Sequence, residues 1–117
     1  MDITTLDRYQ MEALRTAANS TDKDFRMMVV TLGLAGEVGE VADHVKKVQG
    51  HGHELDEDHL IEELGDILWY VANLADVLNV SMSEVATRNI SKLKARYPEG
   101  FSSERSINRE DPPEHGV

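Results

Sequence analysis

Two short carboxylate pairs, Glu37-x-x-Glu40 and Glu63-x-x-Asp66, lie inside otherwise apolar, helix-forming sequence. Negative charge there is expensive unless it is paired, protonated or bound to a cation, and four acids together add mutual repulsion. Residues three apart on an α-helix stand about 5–6 Å apart at Cβ, so each pair can grip one small region. Two such helices packed about 8–10 Å apart would let both pairs converge on a shared space. Oxygen donors suit Mg²⁺ or Mn²⁺. Zinc fits less well, because the four main candidates include no thiolate or imidazole, although His44 lies one turn after Glu40 and could contribute. Two alternatives stay open at this point. The acids could be solvated helix faces paired with Lys46, Lys47, Lys92 or Arg96, or members of a buried salt-bridge network.

Neighbouring residues extend the picture. Gly33, Gly36 and Gly39 surround the first pair; each weakens a helix by about 1 kcal/mol relative to Ala but leaves room for a close approach. Glu40 projects near the line of Val29, Leu32 and Gly36, which places it toward a packed face, with Glu37 at its border. On the second acidic segment Glu63, Asp66, Tyr70 and Asn73 form a polar row along the edge of a leucine stripe, and such a row could line a cleft. Trp69 could stack on a nucleobase or serve packing at a subunit interface. His51-Gly52-His53 reads as a polar turn more readily than as a metal loop, and Asp43 with Lys47 reads as an i,i+4 ion pair.

The elements that must position these side chains are all helical. A first helix is expected from about Thr5 to Ala18, with Thr4-x-x-Asp7 as an acidic capping box, and a second from about Lys23 to Val48, ended by Gly50-His51-Gly52. The segment from Asp56 to Asn79 carries the clearest stripe, Leu60, Leu64, Ile67, Leu68, Val71, Leu74, Ala75 and Leu78, and is expected to form the backbone of the core. Ser81-Met82-Ser83-Glu84 then caps a fourth helix that stops before Pro98. Strand-like alternation is missing, so the expected fold is an all-α four-helix bundle over residues 1–101. Residues 102–117, polar and ending near Pro112-Pro113, read as an extended or mobile tail.

Composition narrows the functions. The 117 residues suit one domain, and 22 acidic against 12 basic residues give a net charge of −10, which disfavours a nucleic-acid polymer as partner. The absence of cysteine excludes disulfides, thiolate metal sites and a cysteine nucleophile. Neither a signal peptide nor a membrane-length apolar run is evident, so a cytoplasmic location is expected.

The combination Gly36-Glu37-Val38-Gly39-Glu40, Glu62-Glu63-Leu64-Gly65-Asp66-Ile67-Leu68-Trp69-Tyr70, and Asn89-x-x-Lys92-Leu93-x-x-Arg96-Tyr97-Pro98-x-Gly100-Phe101 resembles the MazG-like nucleoside triphosphate pyrophosphohydrolases. The likeness spans roughly residues 5 to 105. It implies an all-α enzyme that binds Mg²⁺, with Mn²⁺ as the close substitute, and cleaves a nucleoside triphosphate between its α and β phosphates to a monophosphate and pyrophosphate. Matched position by position, it implies metal ligands at Glu37, Glu40, Glu63 and Asp66, and substrate contacts at Asn89, Lys92 and Arg96. Those three share one helical face and offer an amide and two cations to phosphate, or else form a solvated basic face. Glu37 or Glu40 is the candidate general base, Trp69 the candidate base-stacking residue. The resemblance further implies a dimer or tetramer in which a neighbour completes the site, and a role in clearing non-standard or excess nucleotides.

Rival readings differ in what they require. A di-iron carboxylate bundle needs Glu-x-x-His on two helices, which this chain lacks. Related phosphoribosyl-ATP or dUTP pyrophosphohydrolases share the chemistry with other pockets. A non-catalytic helical module would use its acidic face for a basic partner, and neither nucleotide nor Mg²⁺ would then stabilise it.

Overall fold

The computed structural model describes residues 1–109, and among these every regular element is a helix. The chain divides into two compact units, Met1–Met82 and the part from Ser83 onward. The first unit contains α1 (Leu6–Ala13), a 3₁₀ turn (Leu14–Thr16), α2 (Lys23–His51) and α3 (Glu57–Val77). From Met82 the chain forms α4 (Met82–Arg96) and, after a turn at Pro98–Gly100, the short α5 (Ser103–Ile107).

Local chemistry accounts for most boundaries. Thr5, not Thr4, caps α1, its hydroxyl accepting the Arg8 N–H at 3.1 Å. The first helix is also shorter than its periodicity suggests. The Trp69 indole N–H donates to the Ala13 carbonyl, while the Ala17 N–H bonds Leu14 instead, so the next α-turn gives way to a 3₁₀ turn. Asp22 and Asp56 cap α2 and α3 by accepting the N–H groups of Phe25 and His59, each at 3.0 Å. Gly52 ends α2 in the left-handed conformation at φ 73°. Asn79 does the same after α3 at φ 58°, with its N–H on Asp76 and the Val80 N–H on Ala75, the paired bonds of a Schellman motif.

α2 and α3 form an antiparallel hairpin whose register is visible in paired contacts. Arg26 meets Asp76 at 3.0 Å near one end, Gly33 faces the Tyr70 ring, Glu37 faces Glu63 and Asp66, and His44 lies edge-on to His59 near the other end. The core sits toward the Asp76 end, where Ala72, Ala75 and Met82 are buried and Ala13, Val71 and Val80 pack on them. Gln10 of α1 ties this end together: its amide N–H groups reach the carbonyls of Ala72 and Val80, and its side-chain oxygen accepts the Met82 N–H. Such full use of a buried amide is what makes it tolerable in a core.

Two expectations about the packed faces are corrected. α3 turns its polar row inward, with Glu63 and Asn73 buried, while Leu64 and Leu68 of the leucine stripe are 59% and 38% exposed. On α2 the inward face runs through Val30, Gly33, Glu37, Val41 and His44, one position away from the expected line, and Leu32 stands 65% exposed. Apolar side chains on α2 flank more than one side of the helix, so periodicity alone leaves the phase of its buried face undetermined.

In the second unit Glu84 and Arg88 pair at 2.8 Å along α4, and the Tyr97 and Phe101 rings lie 5.3 Å apart. Ser102 caps α5 by accepting the Arg105 N–H. α5 thus occupies part of the segment expected to be a tail, and residues 110–117, including Pro112-Pro113, lie outside the described residues. No helix among the described residues is long and apolar enough to cross a membrane.

Candidate functional site

The middle of the α2–α3 hairpin gathers the acids. Glu37 of α2 and Glu63 and Asp66 of α3 each offer a carboxylate oxygen within 4.8 Å of the others. Glu63 is buried, Glu37 half-buried and Asp66 exposed, so the cluster opens to solvent on one side. Oε2 of Glu37 and Oε2 of Glu63 are both buried without a hydrogen-bond donor. The other oxygen of Glu63 lies 3.4 Å from His59 Nε2, one turn earlier on α3.

Electrostatics records the crowding. The carboxyl-to-carboxyl hydrogen bond with Glu37, burial, and the charges of Glu40 and Glu37 push Glu63 from the ordinary 4.5 up to about 7. The crowding thus favours the protonated form of Glu63, the familiar response of acids that cannot all ionise together. Glu40, exposed, acts on Glu63 through its charge and a weaker hydrogen bond but stands outside the tight trio. Tyr9 of α1 also faces the cluster: burial and the Asp66 charge raise its phenol.

Buried carboxylate oxygens that no neighbouring N–H or O–H reaches, an all-oxygen set and a Glu63 carboxyl pushed toward its protonated form fit a hard divalent ion. Glu37, Glu63 and Asp66 form the immediate grip, and Glu40 borders an adjoining groove of 490 Å³ with Gly36, Gly39, Asp43, His44, Lys47 and His59. Nothing stands within 4 Å of where a Cβ on Gly36 or Gly39 would be, so the α2 backbone is bare there. Lys47 is tethered to Asp43 at 2.8 Å, the ion pair expected from sequence.

The remaining sequence-derived candidates fall elsewhere. Asn89, Lys92 and Arg96 lie on α4, in the second unit, and are described there by themselves. Trp69 of α3 is half-buried, its indole N–H donating to the Ala13 carbonyl at 3.1 Å and the Thr16 hydroxyl at 2.8 Å. His59 and Tyr9 escaped the sequence reading. The spacing His59-x-x-x-Glu63 carried a usable i,i+4 signal, whereas Tyr9 is one more apolar-stripe residue until folding brings α1 beside α3.

The site is thus an all-α hairpin that gathers three carboxylates of graded burial between its arms, an oxygen set of the kind that suits a divalent cation. Residues 26–101 match the family model of the MazG nucleotide pyrophosphohydrolase domain, and the chain belongs to that family. It is also 40% identical over 112 residues to the Gene 37 protein of Mycobacterium phage L5, a match covering 89% of this chain and 98% of that relative. No solved structure matches.

Proposed function

We propose that the chain is a Mg²⁺-dependent nucleoside triphosphate pyrophosphohydrolase that cuts between the α and β phosphates, releasing a monophosphate and pyrophosphate. Support comes foremost from the buried, donorless oxygens of Glu37 and Glu63 inside a carboxylate trio of a MazG-family chain. In this reading Glu37, Glu40, Glu63 and Asp66 hold Mg²⁺, with Mn²⁺ as substitute. Bound metal would neutralise phosphate charge and polarise the α-phosphoryl group, which an acidic protein needs in order to accept a polyanion.

The chain's own groups divide the remaining work. Glu37 belongs to the tight trio, which leaves Glu40 at the groove's edge as the better-placed general base, with Glu37 the alternative. Glu40 takes the proton of the attacking water as its oxygen bonds to the α-phosphorus. The bridge from that phosphorus to the β-phosphate oxygen breaks, and pyrophosphate leaves with the bonding pair. Asn89, Lys92 and Arg96 present an amide and two cations along one face of α4 for the phosphates. Clearance of non-standard or excess nucleotides in the cytoplasm is the corresponding role.

Self-association belongs to the same reading. Leu32, Ile61, Leu64 and Leu68 leave large apolar surface uncovered on the two helices that carry the acids. A second copy is the partner that would cover such a face, giving a dimer or a tetramer built from two dimers.

A panel of ribo- and deoxyribonucleoside triphosphates with Mg²⁺, scored for pyrophosphate against orthophosphate, tests the chemistry. The expected product is pyrophosphate, with a loss of at least about 10²-fold in kcat for Glu40→Gln and for Asp66→Asn. Orthophosphate as the sole product, or full activity in both variants, overturns the proposal.

A further inference from the structure

We infer that His59 is a positioning residue for the cation site: its imidazole N–H holds Oε1 of Glu63 and so leaves Oε2 of the same carboxylate for the divalent ion. This rests on the metal-dependent reading of the carboxylate cluster. His59 Nε2 lies 3.4 Å from Glu63 Oε1, while Oε2 is buried where no neighbouring N–H or O–H reaches it. The two oxygens thus have different surroundings. Carboxylates that ligate metals are themselves hydrogen-bonded, and such outer partners raise metal affinity by holding the ligand's orientation. At 3.4 Å the contact is longer than a settled N–H···O bond, and site contacts of this kind commonly tighten when ligand binds.

The imidazole is itself held. Asp56 accepts the His59 backbone N–H at 3.0 Å, and the Asp56 N–H donates to His44 Nε2 at 3.2 Å, so the first turn of α3 is fastened to α2. The His44 ring then meets the His59 ring edge-on, with centroids 5.8 Å apart. Both imidazoles line the groove that Glu40 borders, so His59 touches both that groove and Glu63.

Helix stability does not account for the pair. A basic residue in the first turn of a helix stands at the wrong end of the macrodipole, and basic-before-acidic is the weaker order for an i,i+4 pair. His59 is the third residue of α3 and precedes Glu63. The solvent-facing pairs Asp43 with Lys47 and Glu84 with Arg88 run in the favourable order, whereas the Glu63 side chain is only 9% exposed. Imidazole also suits the task chemically. Its N–H donates even when the ring is neutral, so it orients the carboxylate without cancelling the negative charge that attracts the ion. Lysine or arginine would bring a full competing positive charge.

Binding of Mn²⁺ to the full chain, followed by loss of the free-ion signal in electron paramagnetic resonance, reads the proposal without turnover. The His59 side chain is 47% exposed, so its replacement leaves no buried void, and metal-free melting temperatures check that each variant folds. His59→Leu, which removes the donor, is expected to weaken Mn²⁺ binding by about 10–100-fold. His59→Gln keeps an N–H at about the reach of Nε2 and is expected to stay within about threefold of wild type. The Mg²⁺ concentration for half-maximal pyrophosphate release should move by the same factors. Wild-type affinity in His59→Leu overturns the positioning role, and so does a loss in His59→Gln as large as that in His59→Leu; pyrophosphate release by the wild type then still keeps the enzymatic reading. The expected order of affinities in a chain that hydrolyses no nucleotide overturns the enzymatic reading and leaves the role of His59 standing. A wild type that binds neither Mn²⁺ nor Mg²⁺ overturns both.

Discussion

Glu63 concentrates the site's conflict. A carboxyl raised from 4.5 to about 7 binds its proton more tightly in the folded chain than in the unfolded one. Its contribution to metal-free stability is fully present below pH 4.5 and is lost as pH rises through about 7. Thermal melts without metal should therefore show a downward contribution across that window, and Glu63→Gln should flatten it. An ion binding the same carboxylates competes with the proton, so the stabilisation by Mg²⁺ should grow over the same window and level off above it. Melting profiles from pH 4.5 to 8, with and without Mg²⁺, check both directions; a wild-type profile identical to that of Glu63→Gln would contradict the assignment. That these four acids form a candidate site was legible in their spacing. That Glu63 is the buried member, with its pKa pushed upward, was not, because burial depends on which face of α3 meets α2.

The glycines of α2 show how an element carries more than its periodicity. Gly33 and Gly36 look equivalent in sequence, yet a side chain at Gly33 would run into the Tyr70 ring, while Gly36 faces open space. Gly36→Ala should therefore stabilise the fold by about 0.5–1 kcal/mol through helix propensity. Gly33→Ala should instead destabilise it by up to about 2 kcal/mol, because overpacking of about 1–3 kcal/mol outweighs a propensity gain of about 1 kcal/mol. Chemical denaturation of the two variants measures the contrast. The helix starts near Lys23 and Asp56 and the stop at Gly50-His51-Gly52 were readable, because the Asp22 and Asp56 caps and the left-handed Gly52 that set them each rest on one residue's own chemistry. The early end of α1 was not, since it depends on an indole from α3 taking the Ala13 carbonyl, 56 residues away in sequence.

At the scale of the whole molecule, the exposed leucines of α2 and α3 are apolar surface that the single chain leaves uncovered. If a second copy covers them, wild-type protein should elute as a dimer or tetramer, and the double change Leu64→Glu with Leu68→Glu should yield monomer, as measured by light scattering on a sizing column. A wild type that stays monomeric at tens of micromolar removes self-association from the proposal. With a net charge of −10 on each copy, such association is expected to strengthen as added salt screens their mutual repulsion.

Sequence alone determined the helical class, the four carboxylates and their oxygen-only chemistry, because spacing along a helix and ligand type are local properties of the residues. Tertiary structure decided which faces meet: the polar row Glu63, Tyr70 and Asn73 turns inward, while Leu64 and Leu68 stay outside. Hydrophobicity says that a face seeks cover, not which surface supplies it. Packing of α2 against α3 is what turns two acidic pairs into one crowded cluster with oxygens that lack a donor.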